Sequence, residues 1–508
     1  MDNLLNKQTV PLSRYIMDCH EECAVSGEFI LPDYCRDIAE VLKCMLTPRI
    51  QNRQWSGDRL LVDAVVNVRV LYLDEDRCAP HAVEFSLPVS CALPGNGTGQ
   101  MGPVCLEITP KYANCRALGP RKLEVRGAVV VKAKAEARED EEICVASTET
   151  GLHTRRKSLN NTYPIGSVEK ILTLHESFDF PDSMPPAEML LGGDCSAVIK
   201  ECKLLAGKGI VKGQVYVHQL YAVDIDTGEC RCLDYALPFS QILDMEGMDD
   251  GMPYCVDVQI VSDTERCIAG RDGENTVLDV TVKLLVYLQV FCRDEMTVVL
   301  DAYHTSYPIT PVMTEMHVNN YLGCRSESAV LPMKVPLLAG RLSQVLEVWI
   351  ESQGCDTVCR QEIASIKGRW LVCVLAKDMA GQVVYFEHPE EYCLELACKG
   401  NQAEASVCAA DLHYRIVEDQ MELQVGVCVH LSERWVEDLH TISDLKLHQD
   451  APYAKEKIGL LVYYAQPGEC VWDIGSRCHT SPECICEENR LNEEVIQHPS
   501  VLLVPIVS

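Results

Sequence analysis

Thiols are unusually abundant in this chain, 28 of its 508 residues being cysteine. Structural zinc sites use Cys-x-x-Cys because that turn delivers two thiolates to one tetrahedral ion. No cysteine pair here has that spacing; the close pairs are Cys19/Cys23, Cys230/Cys232, Cys355/Cys359 and Cys484/Cys486. Cys230 and Cys232 fit alternate positions of a strand and share a face. Cys470, Cys478, Cys484 and Cys486 could converge on a metal, but Cys484 and Cys486 would face apart on a helix. No metal site is therefore expected, and separate reduced thiols are the first reading, with oxidative cross-linking in an assembly as the alternative. His20-Glu21 and His175-Glu176 begin like a zinc-protease helix, but Ala24 and Asp179 stand where the second imidazole is needed.

Other catalytic patterns fail in similar ways. Ala206-Gly207-Lys208-Gly209 lacks the hydroxyl residue of a phosphate loop. No Gly-x-Ser-x-Gly elbow and no Asp-x-Asp-x-Asp-Gly calcium loop occurs. Carboxylates are so numerous that sequence singles out no acid/base dyad. His218 and His430 fall on strands, where packing or solvation accounts for them better than metal ligation. Neither an enzyme nor a cofactor is expected.

The formal net charge is −30, from 45 Lys and Arg against 75 Asp and Glu. Such a surface repels phosphate backbones and anionic headgroups, which disfavours nucleic-acid binding. With 47% hydrophobic and 24% charged residues, the balance is that of a folded globular protein. No run of 18 apolar residues suggests a transmembrane helix. The first ten residues have no basic and apolar signal-peptide pattern, so a cytoplasmic location with reduced cysteines is expected.

Long alternating segments must carry most of this chain. Leu60, Val62, Ala64, Val66, Val68, Val70 and Tyr72 define one, ending at the acidic turn Asp74-Glu75-Asp76. Leu123, Val125, Val129, Val131 and Ala133 define its partner. The pair returns as Val211–Val223 with turn Asp224–Gly228 and Leu278–Val290. It returns again as Ile366–Ala376 with turn Asp378–Gly381 and Met421–Leu431. Repetition at domain-sized intervals predicts three related antiparallel β-sandwich-like domains over residues 1–155, 156–335 and 336–450. The charge runs Ala135–Glu142 and His153–Lys157 are expected in solvated linkers. Pro32 and Asp33 predict a helix reaching Leu42.

Residues 456–508 predict a small α+β unit. It has a strand at Leu460–Tyr464, a helix over Glu469–Arg477, a helix capped by Ser481 with Pro482 at its first position, and a strand at Val501–Val504. Tyr464, Gln466-Pro467-Gly468-Glu469, Trp472-Asp473-Ile474-Gly475, Asn489, Leu491 and Leu503-Val504-Pro505 resemble a LysM domain. That family is β-α-α-β and binds N-acetylglucosamine glycans in a shallow groove. The resemblance implies Gly468, Glu469, Trp472 and Asn489 as binding residues.

Phe29-Ile30-Leu31-Pro32-Asp33-Tyr34 with Asp37-Ile38 resembles the entry motif of the SPOCS domain of endospore-forming bacteria, and Phe178-Asp179-Phe180-Pro181-Asp182 resembles a second copy. Three such domains followed by one LysM is similar to the clostridial family that partners stage IV sporulation protein A, the coat-building ATPase. The resemblance implies a non-enzymatic scaffold in spore-coat or envelope morphogenesis. Its site of action would be the mother-cell cytoplasm at the forespore surface, with the ATPase and other coat proteins as partners. Peptidoglycan binding through LysM is the alternative.

Overall fold

The computed structural model describes residues 4–95, 104–337, 342–417, 420–454 and 459–506. Unit one contains β1 (Leu5–Ile30), β2 (Glu40–Ser56), β3 (Arg59–Leu73), β4 (Pro80–Pro94), β5 (Cys105–Gly119) and β6 (Lys122–Ser147). Unit two contains β7 (Leu152–Asp179), β8 (Met189–Leu205), β9 (Lys208–Asp224), β10 (Glu229–Asp244), β11 (Tyr254–Ala269) and β12 (Asn275–His304). Unit three contains β13 (Ile309–Pro336), β14 (Leu342–Arg360), β15 (Ile363–Asp378), β16 (Val383–Ala397), β17 (Gln402–Val417) and β18 (Gln420–Leu447). A fourth unit has β19 (Gly459–Ala465), α1 (Val471–Cys478), α2 (Pro482–Asn489) and β20 (Ser500–Ile506).

Each large unit repeats one topology. The second, third and fourth strands form one antiparallel three-stranded sheet; the first, sixth and fifth form the other. The alternating segments read from sequence are the middle strands: β3, β9 and β15 of one sheet, β6, β12 and β18 of the other. They are therefore not hydrogen-bonded partners of each other. Their apolar faces meet in a shared core, as Val66, Val68, Val125 and Val129 do in unit one. Equivalent cores fill units two and three. Middle strands alternate most cleanly because their inward face is buried along nearly its whole length.

The first and last strands of each unit are long enough to leave their own core. β1 and β6 have 26 residues each, and β12 has 30. A bulge marks the exit in each case, with Ile16 extra between Tyr15 and Met17, Ile165 between Pro164 and Gly166, and Leu322 between Tyr321 and Gly323. One extra residue bends a strand and exchanges its two faces. Beyond the bulges the three ribbons pack together around Leu12, Ile143, Val298, Met316, Val318 and Leu439. A second shared core joins the opposite sheets through Leu73, Leu220, Ala222, Leu346, Leu375 and Val383. The acidic turns close this end, and each opens on an aspartate that accepts from the turn backbone: Asp74 from Arg77 N–H, Asp224 from Asp226 and Thr227, Asp378 from Ala380 and Gln382.

Three expectations need correction. Residues 33–39 are turn and coil, and Glu40–Leu42 begin β2, so no helix forms. Leu31, Ile38 and Ala39 N–H groups donate to Arg121, Pro120 and Leu73 carbonyls, tertiary bonds that override the local helix signal. Ala135–Glu142 and His153–Lys157 are not linkers but lie within β6 and β7, where Ala135 is buried. The third unit begins at Ile309 rather than near residue 336, because β13 pairs along its length with β18. Residues 455–458, where the fourth unit was expected to start, lie outside the described residues.

Candidate interaction surfaces and buried polar sites

In the fourth unit, β19 and β20 pair antiparallel, with Val462 opposite Leu503 and Tyr464 opposite Val501. One face of this ribbon covers a core of Ala465, Val471, Ile474, Ile485, Leu502 and Val504. The other is bare. Leu460 is 53% exposed, Val462 50%, Tyr464 72% and Val501 60%, and Leu503 is also exposed. Five apolar side chains on a two-stranded ribbon form the kind of exposed patch that marks an interaction site. Sequence reasoning had not singled these out as a surface. The signal was present: Leu460–Tyr464 is apolar at every position, so a ribbon covered on one side must expose apolar groups on the other.

The four residues expected to bind have other work. Trp472 is buried, contradicting its assignment to an open surface. Its ring meets Tyr303 edge-on at 4.9 Å and its indole N–H donates to Asp301 at 2.8 Å. Tyr303 Oη also donates to the Thr480 carbonyl at 2.6 Å. Gly475 permits this close approach, since a Cβ there would lie 2.5 Å from Tyr303 Oη. These contacts seat the fourth unit on the end of β12. Glu469 closes its own turn, accepting from Gln466 N–H, Tyr463 Oη and Arg477. The Gln466 bond first, then Arg477 and Tyr463, hold its carboxyl below the ordinary range. Gly468 adopts φ 90° and donates to the Ile496 carbonyl. Asn489 ties α2 to β20, donating to Leu503 O and accepting from Leu503 N–H, both at 2.7 Å. Glu469, Gly468 and Asn489 thus build the unit's frame.

Between the apolar ends of the assembly lies a cavity of about 1790 Å³ lined from all three large units. Ion pairs cross it. Arg49 of unit one holds Asp263 of unit two at 2.8 and 3.0 Å. Lys43 of unit one reaches Glu351 and Glu387 of unit three at 3.0 and 2.7 Å. His218 of unit two bonds Asp234 at 2.6 Å and Glu347 of unit three at 2.9 Å. Burial opposes the charged imidazole, but bonds to Asp234, Cys232 and Glu347 outweigh it and raise its pKa to about 12. His430, by contrast, is pushed down by burial despite the nearby Asp257 carboxylate. Arg434 on β18 pairs with Glu136 on β6 between the rings of Tyr15 and Tyr321, at 5.3 and 4.8 Å.

Among the described residues, one group could offer three metal ligands: Cys195, Asp263 and Glu265, whose donor atoms lie within 4.8 Å of one another. Both Asp263 oxygens are already taken by Arg49, and the Cys195 thiol donates to Glu265 at 3.1 Å. The set reads as a neutralised polar contact rather than a cation cage. The C-terminal cysteines form no such group. No helix among the described residues is long and apolar enough to cross a membrane.

Three like-folded antiparallel β-units carrying a small docked α+β unit make this a modular, mainly β chain. Two segments match the family model described as SipL, SPOCS domain: residues 37–118 and 186–266, together about a third of the chain. They coincide with β2–β5 and with β8–β11, equivalent stretches of units one and two. The chain is thus similar to SPOCS-domain proteins across the inner strands, while most of the long strands that join the units falls outside the match. No curated protein and no solved structure matches the chain.

Proposed function

We propose that this chain is a non-enzymatic scaffold in endospore coat or envelope morphogenesis. Its three large units act as SPOCS β-sandwiches that hold a LysM-type module, residues 456–508. The module recruits or stabilises a coat-building ATPase resembling stage IV sporulation protein A, from the mother-cell cytoplasm at the forespore surface. The observation that carries this reading is the coincidence of the SPOCS matches with equivalent strands of two repeated units. The bare ribbon of Leu460, Val462, Tyr464, Val501 and Leu503 supplies a surface for the partner. It replaces the groove around Gly468 and Asn489 as the favoured contact.

The test is a pull-down from sporulating cells, using the 508-residue chain beside a chain lacking residues 456–508. The expected result is a coat-building ATPase retained by the first bait and lost from the second. Recovery of no coat protein by the intact chain overturns the proposal. Retention on purified peptidoglycan that disappears with the same deletion moves the assignment to a glycan-binding protein.

A further inference from the structure

Six of the cysteines form three neighbouring pairs that none of the preceding roles uses. Cys359 Sγ lies 3.6 Å from Cys398 Sγ. Cys359 is on β14 and Cys398 follows β16, and β15 separates these two strands in the sheet. In unit one, Cys23 and Cys91 are near neighbours in the core, each perturbing the other's titration, and so are Cys44 and Cys115. Here the placement is more telling. Cys23 on β1 faces Cys91 on β4, and Cys44 on β2 faces Cys115 on β5. Both contacts bridge the two opposed sheets, which share no backbone ladder.

We propose that these pairs are disulfide-forming sites: Cys359–Cys398 ties the two edge strands of a unit-three sheet, and Cys23–Cys91 and Cys44–Cys115 rivet the two sheets of unit one. The Cys359 and Cys398 sulfurs, 3.6 Å apart, close to a bond length of about 2.0 Å by side-chain rotation together with a shift of the segment that carries Cys398 after β16. The oxidant is a small-molecule disulfide such as oxidised glutathione. Cys359, the less buried partner, loses its proton to solvent and attacks one glutathione sulfur, expelling the other half as a thiolate. Cys398 then loses its proton and attacks Cys359 Sγ, expelling the second glutathione. Two electrons leave the protein pair and reduce one glutathione disulfide to two thiols. In a reducing compartment the pairs stay open, and they close when the chain meets an oxidising one.

The test uses the intact chain, reduced, freed of reductant and incubated with oxidised glutathione. Remaining thiols are alkylated and the protein is mapped by mass spectrometry without reduction. The exposed Cys78 and Cys393 verify that oxidant has reached the protein. Expected are three linked peptides joining the named partners, each lighter by about 2 Da than its reduced components. In Cys398→Ala, Cys359 should instead stop at the glutathione adduct. Alkylated free thiols at all six positions while Cys78 is modified, linkage to other cysteines, or an adduct at Cys359 in the parent chain would overturn the proposal.

Discussion

Replacing Arg434 by methionine tests whether the large units are held by buried charge. The guanidinium pairs with Glu136, and their side chains are 16% and 5% exposed. Methionine keeps much of the stem's packing against Tyr15 and Tyr321 but removes the cation. Glu136 then retains the Ser13 hydroxyl, 2.7 Å away, as its side-chain donor. Breaking a buried pair from one side costs about 3–5 kcal/mol, because the remaining charge stays desolvated. Each lost cation–π contact adds about 0.5–2 kcal/mol, partly replaced by sulfur–aromatic contact. For a unit of this size, 1 kcal/mol moves the midpoint by about 2–4 °C, so R434M should lower the first thermal transition by about 10 °C. The second variant makes the argument specific. Adding Glu136→Gln removes the orphaned charge and should restore more than half of the loss, whereas additive losses are expected if packing alone matters. A first transition within about 2 °C of the parent in R434M, or no recovery in the double variant, refutes the reasoning.

Three further outcomes follow from the geometry. Gly475→Ala places a methyl against Tyr303 Oη and should free the fourth unit from β12, seen as faster proteolysis between residues 447 and 459 and a red-shifted tryptophan emission; unchanged cleavage and emission would contradict the docking. His218 is ordinarily half-protonated at 6.5 but near 12 here, so its stabilising contribution is full below about 6.5 and lost as pH rises towards 12; NMR should show it still protonated at about pH 8, and His218→Gln should flatten the fall of stability above pH 6.5. Deleting Leu322 removes the bulge and exchanges the faces of the β13 segment that packs in the shared ribbon core, so loss of cooperative unfolding is expected, far beyond the effect of Leu322→Ala.

The middle strands were legible because period two is visible wherever one face is buried from end to end, as from Leu60 to Tyr72. β1 was not, because its half beyond the bulge carries Leu5, Val10 and Leu12 at uneven spacing, a pattern that makes sense only beside the other ribbons. The bulges at Ile16, Ile165 and Leu322 exchange the faces midway and erase the phase on which a periodicity argument depends. The failed helix at Asp33 had good capping chemistry but stood where three backbone carbonyls were waiting for donors. Trp472 was noticed for the right type and assigned the wrong neighbour, because Tyr303 and Asp301 lie some 170 positions away in the chain. In the fourth unit, the turn and capping residues lie close together in sequence, so its elements were nearly complete on reading.

The length of β12 has a mechanical consequence. Asp301 and Tyr303, which grip the fourth unit, are on the same continuous strand as Leu278 and Val280 in the core of unit two. A tug on the module by anything bound to its ribbon would therefore be delivered along β12 and met by ladders to β7 and β11 loaded side by side. Ladders stressed in that direction must yield many bonds together, whereas a hairpin peeled from its end yields them singly. The module is moored to the longest strand among the described residues.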